Sequence, residues 1–280
     1  MQPFTLGFRT DLTLVALDGE VERYNGDGDG YWLARSRSRP KHAWTNFLLF
    51  DRTPTANDVA PWTAILRTRF ADMPELAFEA LGWDVDHLAL AERDALQVDA
   101  AVAAFVTHGF KSLDVTSFQT AQPMAPANAD RTVVVRPLET DADWVAQHTV
   151  DCAARSEVTS RPDFQAALLE TTMRYRRLAE AGRGQFFGAF EAGELLGSLG
   201  LYYDPATRLG RYQRVIVAPT ARRRGICARL IADGATQFRA RFGVERFVIS
   251  AHTAGPARRV YQACGFVETH QERGVYRAKD

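Results

Sequence analysis

Val215-Ile216-Val217-Ala218-Pro219-Thr220-Ala221-Arg222-Arg223-Arg224-Gly225 is the stretch whose reading decides the fold. Its first three residues are apolar and β-branched, the composition of a buried strand. Pro219 ends that strand, because proline cannot donate to the ladder. Three arginines then lead into Gly225, and an amphipathic run follows. Ile226, Leu230, Phe238 and Phe242 fall on one helical stripe of that run. So a strand runs into a basic turn, and the turn opens a helix. Amides at a helix start have no intrahelical acceptor, and the helix dipole adds positive potential there. Glycine lets a ligand come close to the backbone. Together these features make a cradle for a diphosphate. The competing reading of an arginine-rich turn is a solvated helix start.

Several nucleotide loops share that outline. The chain has no G-x-x-x-x-G-K-[ST] and no G-x-G-x-x-G after a strand, which excludes a P-loop and a dinucleotide fingerprint. What stands here is Arg222-x-x-Gly225-x-Cys227-Ala228. A second pattern lies downstream, Pro256-Ala-Arg-Arg-Val-Tyr261-Gln-Ala-Cys-Gly265-Phe266. Proline suits the first turn of that short helix, and Gly265 suits its end. Between the two, Gly243 ends the first helix and Phe247-Val-Ile-Ser250 reads as a strand.

The pair of patterns resembles GNAT-type N-acetyltransferases. Arg222-x-x-Gly225-x-Cys227-Ala228 is similar to that superfamily's Q/R-x-x-G-x-G/A acetyl-CoA loop, approached through Val217-Ala218-Pro219. Cys227 stands where the family has Gly or Ala. Tyr261-x-x-x-Gly265-Phe266 resembles the family's helix beside the thiol end of the cosubstrate. The family often has Asn a few residues earlier, where this chain has Ala254. The resemblance is specific over residues 131–280 and weak over 1–120. It implies a mixed α/β fold of two GNAT-like lobes, each a mostly antiparallel sheet flanked by helices. It also implies acetyl-CoA as cosubstrate, no metal, and an amine as acceptor.

The resemblance further implies site residues. A bulge in the strand before the loop would free backbone amides of Val215, Ile216 and Val217 for the pantetheine arm and thioester. The diphosphate would lie over the amides of Arg222, Arg223, Arg224, Gly225, Ile226, Cys227 and Ala228. The three arginine side chains could add contacts, with at least one turned to solvent. Tyr261 is the candidate general acid; the alternative is a core aromatic. The family often places a Glu on the strand before the loop, but Arg211-Tyr-Gln-Arg214 has no carboxylate. Glu157 and His252 are the substitute bases. Water, or an amine already neutral, would need neither.

Composition sets further bounds. The 280 residues suffice for two modest domains. No apolar run approaches bilayer length, and the N-terminal segment lacks a signal-peptide pattern, so neither a membrane span nor export is expected. Cys152, Cys227 and Cys264 have no metal-type spacing, which points to a reducing, cytoplasmic setting. The net charge of zero hides an asymmetry. Residues 1–130 hold 11 Lys and Arg against 18 Asp and Glu; residues 131–280 hold 23 against 16. The basic half carries the cradle. Its arginines are scattered and unaccompanied by an aromatic stripe, which argues against nucleic acid. The resemblance implies a small-molecule amine as the partner, and a monomer or homodimer is the expected assembly. The rival classes are a non-catalytic acyl-CoA sensor and an interaction scaffold that has lost its ligand.

Taken in order, residues 5–50 read as a β region, with Leu12, Leu14 and Ala16 alternating. Asn25–Gly30 reads as a hairpin turn; no Glu at the twelfth position supports a calcium loop. Asn57–Phe70 reads as a helix, Leu76–Trp83 as strand or helix, Asp99–His108 as a helix, and Lys111–Phe118 as a strand. Phe105-x-x-x-Gly109-Phe110 repeats the spacing of Tyr261-x-x-x-Gly265-Phe266, with Phe in place of Tyr. Nothing like the loop precedes it. So residues 1–120 read as a degenerate copy, 121–130 as a small, proline-bearing linker, and 131–280 as the active lobe. The second copy should open with a strand at 132–137, helices near 141–154 and 163–181, and strands at 186–191, 194–203 and 209–217.

Overall fold

The computed structural model describes residues 4–26, 29–155 and 162–279, with only the backbone of 162–164. The chain forms two compact units. One comprises Met1–Ser117, Ser250–Gly255 and Glu268–Asp280; the other comprises Phe118–Ile249 and Pro256–Val267. The sequence boundary at 121–130 is thus not where the units divide. That stretch has no helix or strand, and it packs within the second unit. Ala129 is buried, and the Met124 amide donates to the Cys264 carbonyl at 3.0 Å.

The first unit holds helix α1 (Leu6–Ala16), strands β1 (Glu20–Tyr24), β2 (Tyr31–Arg35) and β3 (Phe47–Phe50), helix α2 (Val59–Arg69), strand β4 (Phe78–Trp83) and helix α3 (Glu92–Thr107). Strand β5 (Lys111–Thr120) follows, and the last strand, β11 (Val267–Ala278), returns to pair antiparallel with β4. The strand order is β1-β2-β3-β4-β11-β5. The expected hairpin is present, with Tyr24 opposite Tyr31. Period-two alternation makes β3 serve two cores at once. Leu48 and Phe50 face α2 and α3, where Phe50 stacks on Trp62 at 3.8 Å between ring centres. Phe47 and Leu49 face α1.

Helix α1 corrects the sequence reading, which took this segment as β. The governing period is 3.6: Phe8, Leu12 and Val15 bury one stripe, while Leu14 is only partly covered. Thr5 gives no side-chain cap. The first amides are satisfied from far along the chain instead. Thr5 donates to Asp84 at 2.8 Å, and Gly7 to Glu272 at 2.6 Å. Of Leu76–Trp83, Phe78–Trp83 resolves as a strand, with Ala80, Leu81 and Trp83 wholly buried in the sheet.

The second unit holds β6 (Val134–Pro137), α4 (Asp141–Ala154), α5 (Pro162–Glu180), β7 (Gly184–Glu191), β8 (Glu194–Asp204) and β9 (Leu209–Val217). Helix α6 (Ile226–Phe242), β10 (Arg246–His252) as far as Ile249 and α7 (Ala257–Ala263) complete it. The order is β10-β9-β8-β7-β6, antiparallel except for the parallel pair β9–β10. Helix α4 starts where it does because Thr140 and Asp143 cap it reciprocally and Arg136 grips Asp143 at 2.7 and 2.9 Å. On α6, Ile226, Leu230 and Phe238 are buried as the stripe predicts; Phe242 is half-buried, 4.3 Å from Phe238 between ring centres.

Both units repeat one order: a strand, a helix, a parallel strand, a second helix, Gly-Phe, and a further strand. In the first unit this is β3, α2, β4, α3, Gly109-Phe110, β5; in the second, β9, α6, β10, α7 and Gly265-Phe266, after which the chain enters β11 of the first unit. No helix among the described residues is long and apolar enough to cross a membrane.

Candidate active site

The site is built on the end of β9. Against β8 the register reads Gly200 opposite Gln213 and Ser198 opposite Ile216, so Leu199 faces two residues, Arg214 and Val215. This is a β-bulge. Arg214 carries it in the left-handed region, with φ +51. On the other side, β9 pairs with β10 over Leu209–Arg211 and then runs on to Val217 outside that ladder. The β10-facing edge of Val215, Ile216 and Val217 is therefore open, as the sequence reading expected of a splayed strand.

Pro219–Ala221 forms one tight turn. Arg223 and Gly225 then take left-handed conformations, φ +66 and +81, and α6 begins at Ile226. No side chain caps that start, and its first turn holds no acidic residue. The amides of Ile226, Cys227 and Ala228 precede the first intrahelical bond, from Arg229 to the Gly225 carbonyl at 3.1 Å. They form a cluster of uncapped donors at the positive end of a 17-residue helix.

The three arginines separate into different roles. Arg224 donates to Asp130 at 2.9 Å and to Glu191 at 3.1 Å, which fixes the loop to the 128–132 segment and the end of β7. Arg222 reaches the carbonyls of Val217 and Ala154, at 3.4 and 3.3 Å. Arg223 is exposed. Cys227 fits the place of the family's smaller residue. Burial pushes its thiol up to about 12, so it stays neutral and does not repel an anion.

Tyr261 lies on α7, 6% exposed. Its ring meets Phe118 edge-on at 5.8 Å and Phe266 at 6.3 Å. Burial raises its phenol well above the usual range, and the nearby Cys227 adds to the shift. The phenol is therefore protonated at neutral pH and close to the first turn of α6. Burial likewise pushes the Cys264 thiol up to about 11. His252, the other half of the expected chemistry, ends β10, is exposed, and belongs to the first unit. Glu157 lies outside the described residues.

Two features were not anticipated from the sequence. Asp151 of α4, with no exposed side-chain surface, pairs with Arg214 at the bulge and with Arg155 at 2.9 Å. One turn earlier, His148 is half-buried, with Nε2 3.6 Å from the Cys152 sulfur and a buried Nδ1 without a partner. Burial, and then the Arg214 cation, hold its pKa below the usual imidazole value. Helical spacing of 148, 151 and 152 could have linked these three. Nothing local could have named Arg214 as their neighbour.

Residues 154–266, which contain the bulge, the loop and Tyr261, match the model of the Acetyltransferase (GNAT) family. That stretch is therefore similar to a GNAT acetyltransferase domain. Among curated proteins, none matches the sequence. Solved structures extend the likeness to the whole chain. A functionally unknown conserved protein from Staphylococcus epidermidis ATCC 12228 superposes with a TM-score of 0.69 at 10% identity, covering 93% of this chain and 95% of that one. A GCN5-related N-acetyltransferase from Kribbella flavida gives 0.60 at 12% identity, covering 99% and 97%. A tandem GNAT protein from the clavulanic acid biosynthesis pathway gives 0.52 at 16% identity, covering 91% and 81%. At such identities the likeness is one of fold.

The first unit has no comparable open helix start at the matching place in its strand and helix order. That place lies between β3 and α2, where Thr55 and Asp58 cap the helix start themselves; the Thr55 amide donates to Asp58 at 2.6 Å. Arg52 is spent between Asp29 and Asp58, at 3.1 and 2.7 Å. The Thr55 and Asp58 amides are occupied, and two carboxylates flank the one arginine.

Proposed function

We propose that residues 131–280 catalyse transfer of an acetyl group from acetyl-CoA to the primary amine of a small molecule. Residues 1–120 are then a degenerate copy without cosubstrate. The observation that carries this reading is the succession of bulge, open strand edge and uncapped helix start along Arg214–Ala228. Open amides at both places suit a long ligand with an amide-bearing arm and a diphosphate. Acetyl-CoA supplies an activated acetyl thioester there. The amides of Ile226–Ala228 and the exposed Arg223 bind its diphosphate, and the edge of Val215–Val217 orients its arm. Tyr261 holds a proton at Oη for the departing sulfur. Burial that weakens the phenol as an acid also raises the proton affinity of a thiolate brought beside it. The amine's proton leaves to solvent or by way of His148.

The three cysteines are free, as a reducing cytoplasm would keep them. We assign no nucleic-acid or membrane partner, and a monomer or homodimer as the working form. Calorimetric titration with acetyl-CoA, followed by thiol release with a panel of amines, tests the reading. Binding without thiol release would make the protein an acyl-CoA sensor. No binding would leave only the fold.

A further inference from the structure

The bulge of β9 is held from outside the strand. Arg214 has φ +51 there, a region disfavoured for any residue with a Cβ. Its side chain turns inward, 10% exposed, and meets the carboxylate of Asp151. A buried guanidinium without a counter-charge is costly, so the pair decides where the Arg214 side chain goes. That direction in turn selects the backbone conformation of the bulge. The same last turn of α4 makes a second contact, from the Ala154 carbonyl to Arg222 at 3.3 Å. The end of α4 thus holds the cofactor strand on both sides of Val215–Val217. Asp151 is already shared between Arg214 and Arg155, an arrangement for holding geometry and unsuited to taking protons.

We infer that Asp151 is a positioning residue: through its ion pair with Arg214 it keeps the β9 bulge in the conformation that presents Val215–Val217 to the cosubstrate. The inference rests on the acetyl-CoA reading above.

The test uses the full chain. Asp151→Asn keeps the size and removes the charge. Acetyl-CoA affinity is read by calorimetry, turnover by thiol release, and folding by thermal unfolding. Misplacing an oriented backbone costs about a hundredfold in rate, so kcat should fall by that order while the KM of the amine stays put. Affinity for acetyl-CoA should fall by about tenfold. Asp151→Asn/Arg214→Gly is the second variant. Glycine takes the left-handed conformation unaided and removes the unpaired cation, so affinity and kcat should return to within about threefold of wild type. Wild-type affinity and turnover in Asp151→Asn would overturn the inference, as would a folded double variant no better than the single one. If Asp151→Asn does not fold, the double variant decides alone: restored binding supports the clamp, and lost binding overturns it. Wild-type protein that binds no acetyl-CoA would overturn the functional reading, a different failure.

Discussion

A Cβ on Gly225 would stand 2.7 Å from the Cα of Ala129 and 2.9 Å from the carbonyl oxygen of Asn128. The glycine that marks the loop therefore has two duties. It takes φ +81, and it lets the 126–130 segment lie against the start of α6. Any substitution there strains the fold, so loss of binding in a Gly225 variant would say little about a ligand. Gly225→Ala should lower stability by about 1–3 kcal/mol or more, read as a fall in the unfolding temperature.

Arg223 is the cleaner probe of the loop. It is exposed, and its φ of +66 is one that Asp tolerates better than most residues. Arg223→Asp should leave the unfolding temperature unchanged. At low ionic strength it should weaken acetyl-CoA binding by about tenfold, and the gap should narrow as salt screens it. Equal affinity of both proteins at low salt would remove this loop from the site.

The first unit should bind no CoA. The helix start after β3 ties up the Thr55 and Asp58 amides in a capping box, and Asp29 and Asp58 hold Arg52 beside it. Calorimetry on the intact chain should give one site per monomer. A second site of comparable affinity would mean that the first copy has kept a cradle built some other way.

What the sequence disclosed was local chemistry. Glycine at +81, arginines before it, and an apolar stripe behind it are all written within about thirty residues of one another, and the structure follows them. Tyr261 and Phe105 were found the same way. In both units the same hydrogen bond closes the helix end, from Phe110 to the Phe105 carbonyl and from Phe266 to the Tyr261 carbonyl, each at 3.1 Å. What stayed hidden were partnerships across the chain. Leu12, Leu14 and Ala16 mimic a strand's alternation, and the groups that secure α1 instead, Asp84 and Glu272, are read only in three dimensions. Nothing local names β4 as the neighbour of β11. Asp151 and Arg214 lie on separate elements, so a search for a carboxylate on β9 itself missed the one beside it.

His87 should make the first unit sensitive to mild acid. It accepts from the Trp83 indole at 2.8 Å through Nε2, which requires a neutral ring. Burial, and then Arg273, push its pKa down to about 4. Between the unfolded value near 6.5 and about 4, the unfolded chain binds a proton that the folded chain refuses. Stability is thus full above that window and falls as pH drops through it, by up to about 2 kcal/mol once solvent screening of the partly open ring is allowed for. His87→Gln keeps an acceptor for Trp83 and does not titrate. Its unfolding temperature should vary less between pH 6.5 and 4 than that of the wild type. Parallel curves for the two proteins would show that other groups govern acid stability.

Tyr261→Phe is the most direct test of the chemistry. The ring packs against Phe118 and Phe266, and phenylalanine keeps both contacts. In the first unit Phe105 stands at the same spacing from Gly-Phe, wholly buried and edge-on to Phe110 at 5.3 Å. Folding and acetyl-CoA affinity should therefore barely change. What is lost is a proton held in an apolar site, which the proposed function sets beside the departing sulfur. General acid catalysis contributes about a hundredfold or more, so kcat should fall by that factor at near-constant KM for acetyl-CoA. A thiol of lower pKa needs its proton less, so an acyl donor with such a leaving group should narrow the gap between the two proteins. If Tyr261→Phe releases thiol at the wild-type rate where chemistry limits turnover, Tyr261 is a core aromatic. The thiolate then takes its proton from water.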